Sequence, residues 1–305
     1  MPKEKIGFCV GPIYYDVVHL LADDVDLEKS GRIRPIQTAC GYGGNAVGAA
    51  RTISSLGGMT RLVCPSSDCD LGPGFKRMAA VSNIELIHCT VKNYEIPIAS
   101  VLSRHGERII ISKPEPPVCV GFPMLHPEEH GFAHFDGYFE AHTIACMKAF
   151  QERNVLVSMD AGRLRPHIKD MLRLTDVAVV SDTFVTDMKW SEKETLDYLQ
   201  YECKCQVGGI TRGPQGFLWY DETGRRQELP TLDVPDIVDT TNAGDIFHGA
   251  YLFSLQRWPE QPWAEHFVFA RAASAHSIRF LGINASLPTL EDVRVAIASF
   301  MERGA

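Results

Sequence analysis

Short apolar runs alternate with helix-patterned segments along most of this chain, and that alternation leaves few folds open. Residues 6–10, 61–64, 85–89, 155–159, 177–180 and 207–211 are brief and strongly apolar, in the manner of strands buried on both faces. Between them, residues 46–56, 74–82, 143–152, 166–174 and 192–202 read as helices, the first ended by Gly57 and Gly58. Three more helices, 243–256, 262–279 and 290–303, close the chain. Strands joined by helices form a mostly parallel sheet covered on both faces, so an α/β fold is expected.

Two segments break the rhythm. Residues 31–38 and 96–112 look like β-structure with no helix between, the second turning at His105-Gly106-Glu107 between two β-branched arms. A small sheet projecting from an α/β body serves equally as a lid, a dimer surface or an edge decoration. A further hairpin is expected from 216–220, turning at Glu222-Thr223-Gly224.

At 305 residues, 45% hydrophobic and 22% charged, the chain has the composition of a globular protein with one large or two smaller domains. A formal net charge of -8 argues against general nucleic-acid binding, which needs a basic face, but not against binding a nucleotide. The nine cysteines lack CxxC spacing, so reduced, mainly buried thiols are expected, as in the cytoplasm. No apolar run reaches the length of a membrane span, and the start has no long apolar region, so neither a membrane partner nor a leader is expected.

The chemistry concentrates where Asn242-Ala243-Gly244-Asp245 meets an apolar helix beginning at Ile246. Amides at a helix start are unpaired and carry partial positive charge, and small residues let an anion approach them closely. A carboxylate beside such a cradle suits three roles: general base, magnesium ligand, or simple complement to the helix dipole. Local spacing does not separate them.

Three motifs together carry a resemblance. Asp239-Thr240-Thr241-Asn242-Ala243-Gly244-Asp245-Ile246-Phe247-His248-Gly249 matches D-T-x-G-A-G-D-x-F-x-G except at Asn242. Gly43-Gly44-Asn45-Ala46 opens a small-residue helix ending in Leu56-Gly57, and Thr211-Arg212-Gly213-Pro214-Gln215-Gly216 has the form T-x-G-x-x-G. On these the chain resembles the ribokinase-like (pfkB) carbohydrate kinases over nearly its whole length. The runs "HGERIIISKPEPP" and "IFHGA" look most like the ketohexokinase and sulfofructose kinase branch.

The resemblance implies one ribokinase-like domain over 1–305, a three-layer α/β sandwich with a β lid from about 12–40 and 94–114. It implies a sugar kinase using ATP and Mg2+, with K+ as a further ion, and a homodimer formed through the lid. Asp245 takes the place of the catalytic base, and the amides of Asn242, Ala243 and Gly244 that of the anion hole. Ser181, Thr211, Gly213, Gly216 and Ala275 fall along the ATP. Asp16, Gly43, Gly44, Asn45 and Arg108 fall around the sugar, and Asp239 and Thr241 where relatives bind a monovalent cation.

The chain departs from the family at two places. The common Asn-x-x-Glu is here Ser181-Asp182-Thr183-Phe184, so the Glu that supports magnesium is a Phe, with Asp182 on an expected strand end as substitute. Asn242 replaces Gly or Ala, a change that a left-handed turn tolerates. The position that is Lys in ribokinase is Asn45, while Arg108, Lys113 and Arg163 are cations available to an anionic group. "GYGGNA" also fits a dinucleotide fingerprint, but stands too far beyond the first strand for a dehydrogenase. A catalytically silent sugar-binding regulator is the other alternative, motivated by the missing Glu. His134 and His142 as a metal pair, and the four tryptophans as base-stacking groups, are set aside as core or loop residues.

Overall fold

From β1 (Ile6–Val10) the chain leaves its main sheet at once for a second, smaller one through β2 (Tyr14–Leu20) and β3 (Gln37–Gly43). It returns by α1 (Asn45–Ser55) to β4 (Thr60–Pro65), α2 (Gly72–Val81) and β5 (Ile84–Val91). A second excursion makes β6 (Ile98–Arg104) and β7 (Glu107–Ser112) before β8 (Cys119–Gly121) and β9 (His130–Phe135). Then come α3 (Glu140–Gln151), β10 (Leu156–Ala161), α4 (Ile168–Leu172), β11 (Val177–Ser181), α5 (Asp182–Met188), α6 (Glu192–Asp197) and β12 (Val207–Thr211). The hairpin β13 (Phe217–Tyr220) and β14 (Arg226–Leu229) precedes α7 (Ala243–Arg257), α8 (Trp263–Ser277), α9 (Ile283–Ser286) and α10 (Leu290–Glu302). This computed structural model describes residues 6–27, 31–91, 94–104, 106–112, 119–124 and 126–302. His105, Lys113 and Arg303, and the lid positions 28–30 and 114, lie outside them.

The main sheet has 10 strands in the order β14-β13-β12-β11-β10-β9-β1-β4-β5-β8. The strands from β12 through β5 are all parallel, with β13–β14 and β8 added antiparallel at the edges. The chain steps one way from β1 to β4 and β5, and the opposite way from β9 to β12. Right-handed crossovers then place the two sets of helices on opposite faces. A crevice opens at the carboxyl ends where the direction reverses, between β1 and β9. Gly11 and Asp136 follow those two strands, and a methyl on Gly11 would come 2.0 Å from Asp136 Oδ2.

The smaller sheet has the order β3-β2-β6-β7, with β2 parallel to β6 and the outer pairs antiparallel. The expected hairpin at 96–112 is present, but residues 31–36 form no strand. β3 instead starts at Gln37 and runs to Gly43, directly into α1. Three other elements differ from expectation. The helix of 166–174 shortens to α4, and that of 192–202 ends in one π-helical turn, Tyr198–Glu202. Asp182 opens α5 rather than ending a strand, because Ser181 Oγ accepts the Phe184 N–H at 3.1 Å and caps a helix there. All nine cysteines are free, and Cys40 on β3 is the exposed one. Among the described residues no helix is long and apolar enough to cross a membrane.

Candidate active site

The start of α7 is built on a clamped turn. Asp239 Oδ1 accepts the Thr241 N–H at 2.9 Å and the Thr241 hydroxyl at 2.6 Å, and Oδ2 accepts the Gly282 N–H at 3.0 Å. Asn242 then takes the left-handed conformation, φ 64°, and its carbonyl accepts the Ile246 N–H. The Ala243 N–H reaches Thr240 O at a long 3.3 Å. The amides of Gly244 and Asp245 find no acceptor among the described residues, and Gly244 is exposed with open space around its Cα. A 15-residue helix thus points free amides and its positive end outward at this spot.

Asp245 follows, with a small face open to solvent and protein packed around the rest. α1 comes close enough that a methyl on Gly48 would stand 2.6 Å from Asp245 Cβ. Burial pushes the Asp245 carboxyl up to about 8, with Asp160, Asp16 and Asp136 adding to the rise and Arg108 opposing it. Asp136 is likewise raised by burial to about 7, and Asp16 to about 6. For Asp16 the Arg51 guanidinium opposes the rise and Asp239 adds to it.

The expected sugar-binding residues converge beside it. Asp16 on β2 lies over Gly43, where a methyl would come within 1.9 Å of its Oδ2. Gly44, at φ 105°, turns β3 into α1 in a conformation that suits glycine alone. Asn45, the first residue of α1, donates through Nδ2 to Asp160 Oδ2 at 2.7 Å. Arg108, on the small sheet, donates to Thr240 O at 2.8 Å, while Thr240 Oγ1 donates to Gly106 O at 2.8 Å. The small sheet is thereby fastened to the very turn that opens α7.

The expected nucleotide residues occupy neighbouring strand ends. Ser181 and Thr211 are register partners at the carboxyl ends of β11 and β12. The Ser181 hydroxyl is already engaged, donating to Gly162 O at 2.7 Å while capping α5. Gly213 has open space around it, and Gly216, at φ 85°, passes so near Leu229 O and Thr231 N that no side chain fits. Ala275 is buried on α8, and its neighbour Ser274 donates to Ala243 O at 3.1 Å, joining α8 to the α7 start.

Sequence reasoning missed Asp136, Asp160 and the cation Arg165, whose charge reaches both carboxylates and whose guanidinium lies 4.0 Å over the Tyr138 ring. Asp160 was within reach, since it directly follows the expected strand 155–159. Arg163 pairs loosely with Asp187 at 3.8 Å on the surface.

A profile of the pfkB family of carbohydrate kinases matches residues 8–290. The chain belongs to that family. Its members are phosphotransferases, and this pfkB chain has their mixed α/β fold. The curated "Probable fructokinase-6, chloroplastic" of Arabidopsis thaliana is 28% identical over 174 residues, 50% of this chain and 44% of that one, under half of the relative's length. Ribokinase of Giardia lamblia superposes with a TM-score of 0.82 at 15% identity, covering 97% of this chain and 100% of that one. Ribokinase of Arabidopsis thaliana, complexed with ribose and ATP, gives 0.77 at 18%, covering 97% and 99%. At these identities the structural likeness establishes the fold.

The implied ions fit this pfkB chain poorly as protein-held groups. Phe184, where the family places Glu, is fully buried, and Asp182 points to solvent at the start of α5. No group of three or more His, Cys, Asp or Glu able to hold a metal occurs among the described residues. The side chains of Asp239 and Thr241 are spent on each other and on Gly282.

Proposed function

We propose that the chain is an ATP-dependent sugar kinase, transferring the γ-phosphoryl group to a hydroxyl of a small carbohydrate. The observation that carries this reading is the pairing, in one helical turn, of the unpaired Gly244 amide with the partly open Asp245 carboxylate. Asp245 takes the hydroxyl proton as the sugar oxygen forms its bond to the γ-phosphorus. The bond to the β-phosphate bridging oxygen breaks, and ADP leaves. The amides at Asn242, Ala243 and Gly244 hold the transferring group. Asp16, Gly43, Gly44, Asn45 and Arg108 hold the sugar, and Thr211, Gly213, Gly216 and Ala275 line the nucleotide, with Ser181 shaping the strand end. Supporting ATP as donor is the ATP bound to the similar Arabidopsis ribokinase. Magnesium comes with the nucleotide phosphates, a binding mode that needs few protein ligands, and no step here depends on K+.

ADP release measured against a panel of sugars and nucleosides tests the reading, with Asp245→Asn as control. Turnover with a sugar, lost in the variant, is expected. Full turnover in Asp245→Asn removes the base assignment. Sugar binding with no turnover in the wild type transfers the case to the silent regulator, the reading motivated by Phe184 standing where the family has Glu.

A further inference from the structure

Behind the substrate residues runs a line of buried polar side chains that phosphoryl transfer does not use. Asp160, His248, Tyr251, Ser158 and His134 are all at most 6% exposed. His248 Nε2 stands 3.6 Å from Asp160 Oδ1, and its Nδ1 3.3 Å from the Tyr251 hydroxyl. Tyr251 OH is 2.5 Å from Ser158 Oγ, which is 3.0 Å from His134 Nδ1. His134 Nε2 is the atom left without a partner.

With Asp160 ionised, charge and burial favour one order of protons along this line. Burial pushes both imidazoles down to about 3, so each carries a single N–H. Burial raises the Asp160 carboxyl, while the Asn45 amide and the Arg165 charge favour its ionised form. Facing that carboxylate, a bare lone pair on His248 Nε2 would be repelled, so the proton sits on Nε2. Nδ1 then accepts from Tyr251, Tyr251 from Ser158, and Ser158 from the Nδ1–H of His134. The unpartnered His134 Nε2 is left as a lone pair. The reverse order would strand a buried N–H there, at greater cost.

The line ends at Asn45, one of the residues proposed to hold the sugar. Asp160 Oδ2 takes the Asn45 Nδ2 donor at 2.7 Å, and Asn45 Oδ1 has no donor among the described residues. An amide whose NH2 is held by an anion resists flipping, which leaves its oxygen as the free acceptor. We propose that Asp160, backed by His248, is a positioning residue that locks Asn45 as a hydrogen-bond acceptor toward one hydroxyl of the sugar. The inference rests on the sugar-kinase reading and makes substrate selectivity depend on residues that never touch the substrate. Asp160 joins three elements: His248 lies one turn beyond Asp245 on α7, Asn45 begins α1, and Asp160 itself is the last residue but one of β10.

The test has two arms. In the first, nitrogen chemical shifts of His248 in the ligand-free full chain report its tautomer. An Nε2–H form in the wild type, lost in Asp160→Asn, is expected, and an Nδ1–H form in the wild type overturns the proposal whether or not the protein turns over. In the second, ATP-dependent phosphorylation of D-fructose, D-ribose and their monodeoxy analogues is compared in wild type, Asp160→Asn, His248→Leu and His248→Gln. In Asp160→Asn and His248→Leu the sugar KM should rise about tenfold, the loss of one hydrogen bond, while KM for ATP holds. The penalty for deleting one particular hydroxyl should vanish with it, and His248→Gln, which keeps a donor at that reach, should restore both. Unchanged discrimination between sugar and deoxy analogue in Asp160→Asn overturns the proposal. A wild type that phosphorylates none of these sugars tells against the kinase reading, and the tautomer then decides on the lock alone.

Discussion

Asp245 keeps its proton over a wide window in the ligand-free protein. It acts as a base only in its ionised form, so turnover should rise as pH approaches about 8. Its carboxyl is raised from 3.8 to about 8 by burial among other carboxylates. The folded state therefore binds this proton more tightly than the unfolded chain, and stability declines as pH rises from about 4 to about 8. Asp136 and Asp16, raised to about 7 and about 6, act in the same sense. Replacing Asp245 with Asn should stabilise the ligand-free protein at pH 8 by about 1–2 kcal/mol, seen in thermal or urea unfolding, and leave it unchanged near pH 4. Turnover should fall at least about a hundredfold in the same variant. Arg108 supplies the cation that opposes the rise. Arg108→Ala should therefore move the acidic limb of the kcat/KM profile to higher pH, whereas an Arg108 that served only the surface would leave it in place.

At the scale of elements, α1 and α7 are pressed together through glycines on both sides. A methyl on Gly48 would meet Asp245 Cβ, and one on Gly249 would stand 2.5 Å from Ala49 O. Gly48→Ala should cost about 1–3 kcal/mol of stability, as overpacking does. It should also lower kcat more than Gly249→Ala, because only Gly48 bears on the reacting carboxylate. Both helices were legible in the sequence, α1 by its small and apolar residues at helical spacing and α7 by its apolar pattern, but their packing against each other was not. β9 was not legible. Its two histidines interrupt the apolar run, and they are tolerated in the sheet because His130 bonds His126 O and His134 bonds Ser158. β2 hid for a similar reason, carrying Asp16 and His19 among its apolar residues. α5 hid because its β-branched Thr183, Val185 and Thr186 read as extended chain. What fixes it as a helix is the Ser181 cap, a hydrogen bond that periodicity does not register. The site was legible where a motif spelled it out, and illegible where residues from separate strands meet only after the sheet has formed, as Asp136 and Asp160 do.

On the scale of the whole molecule, the smaller sheet carries an unusual surface. Ile109, Ile110 and Ile111 on β7 and Ile98 on β6 are each more than half exposed. β7 is also an edge strand, so both its backbone and its side chains stand open. A second copy of this chain, joined sheet to sheet, is the cover we propose. Ile98, Ile109 and Ile111 share one face, while Ile110 pairs with buried Val101 on the other. Ile111→Lys should then shift sedimentation from dimer to monomer with stability of the α/β body retained, and a wild type that sediments as a monomer at micromolar concentration would exclude the arrangement.

β3 leaves the small sheet and becomes, without an intervening loop, the Gly43–Gly44 turn and α1. Cys40 sits on that strand as the exposed cysteine of the chain, the other thiols being buried or partly so. Cys40 lies on the same face as Ile111, so the monomeric Ile111→Lys variant carries a ready attachment point for a thiol-reactive fluorophore, on the strand that leads into the substrate turn. A dye placed there by simple alkylation should change its emission when sugar occupies the cleft, giving an optical titration that needs neither ATP nor turnover.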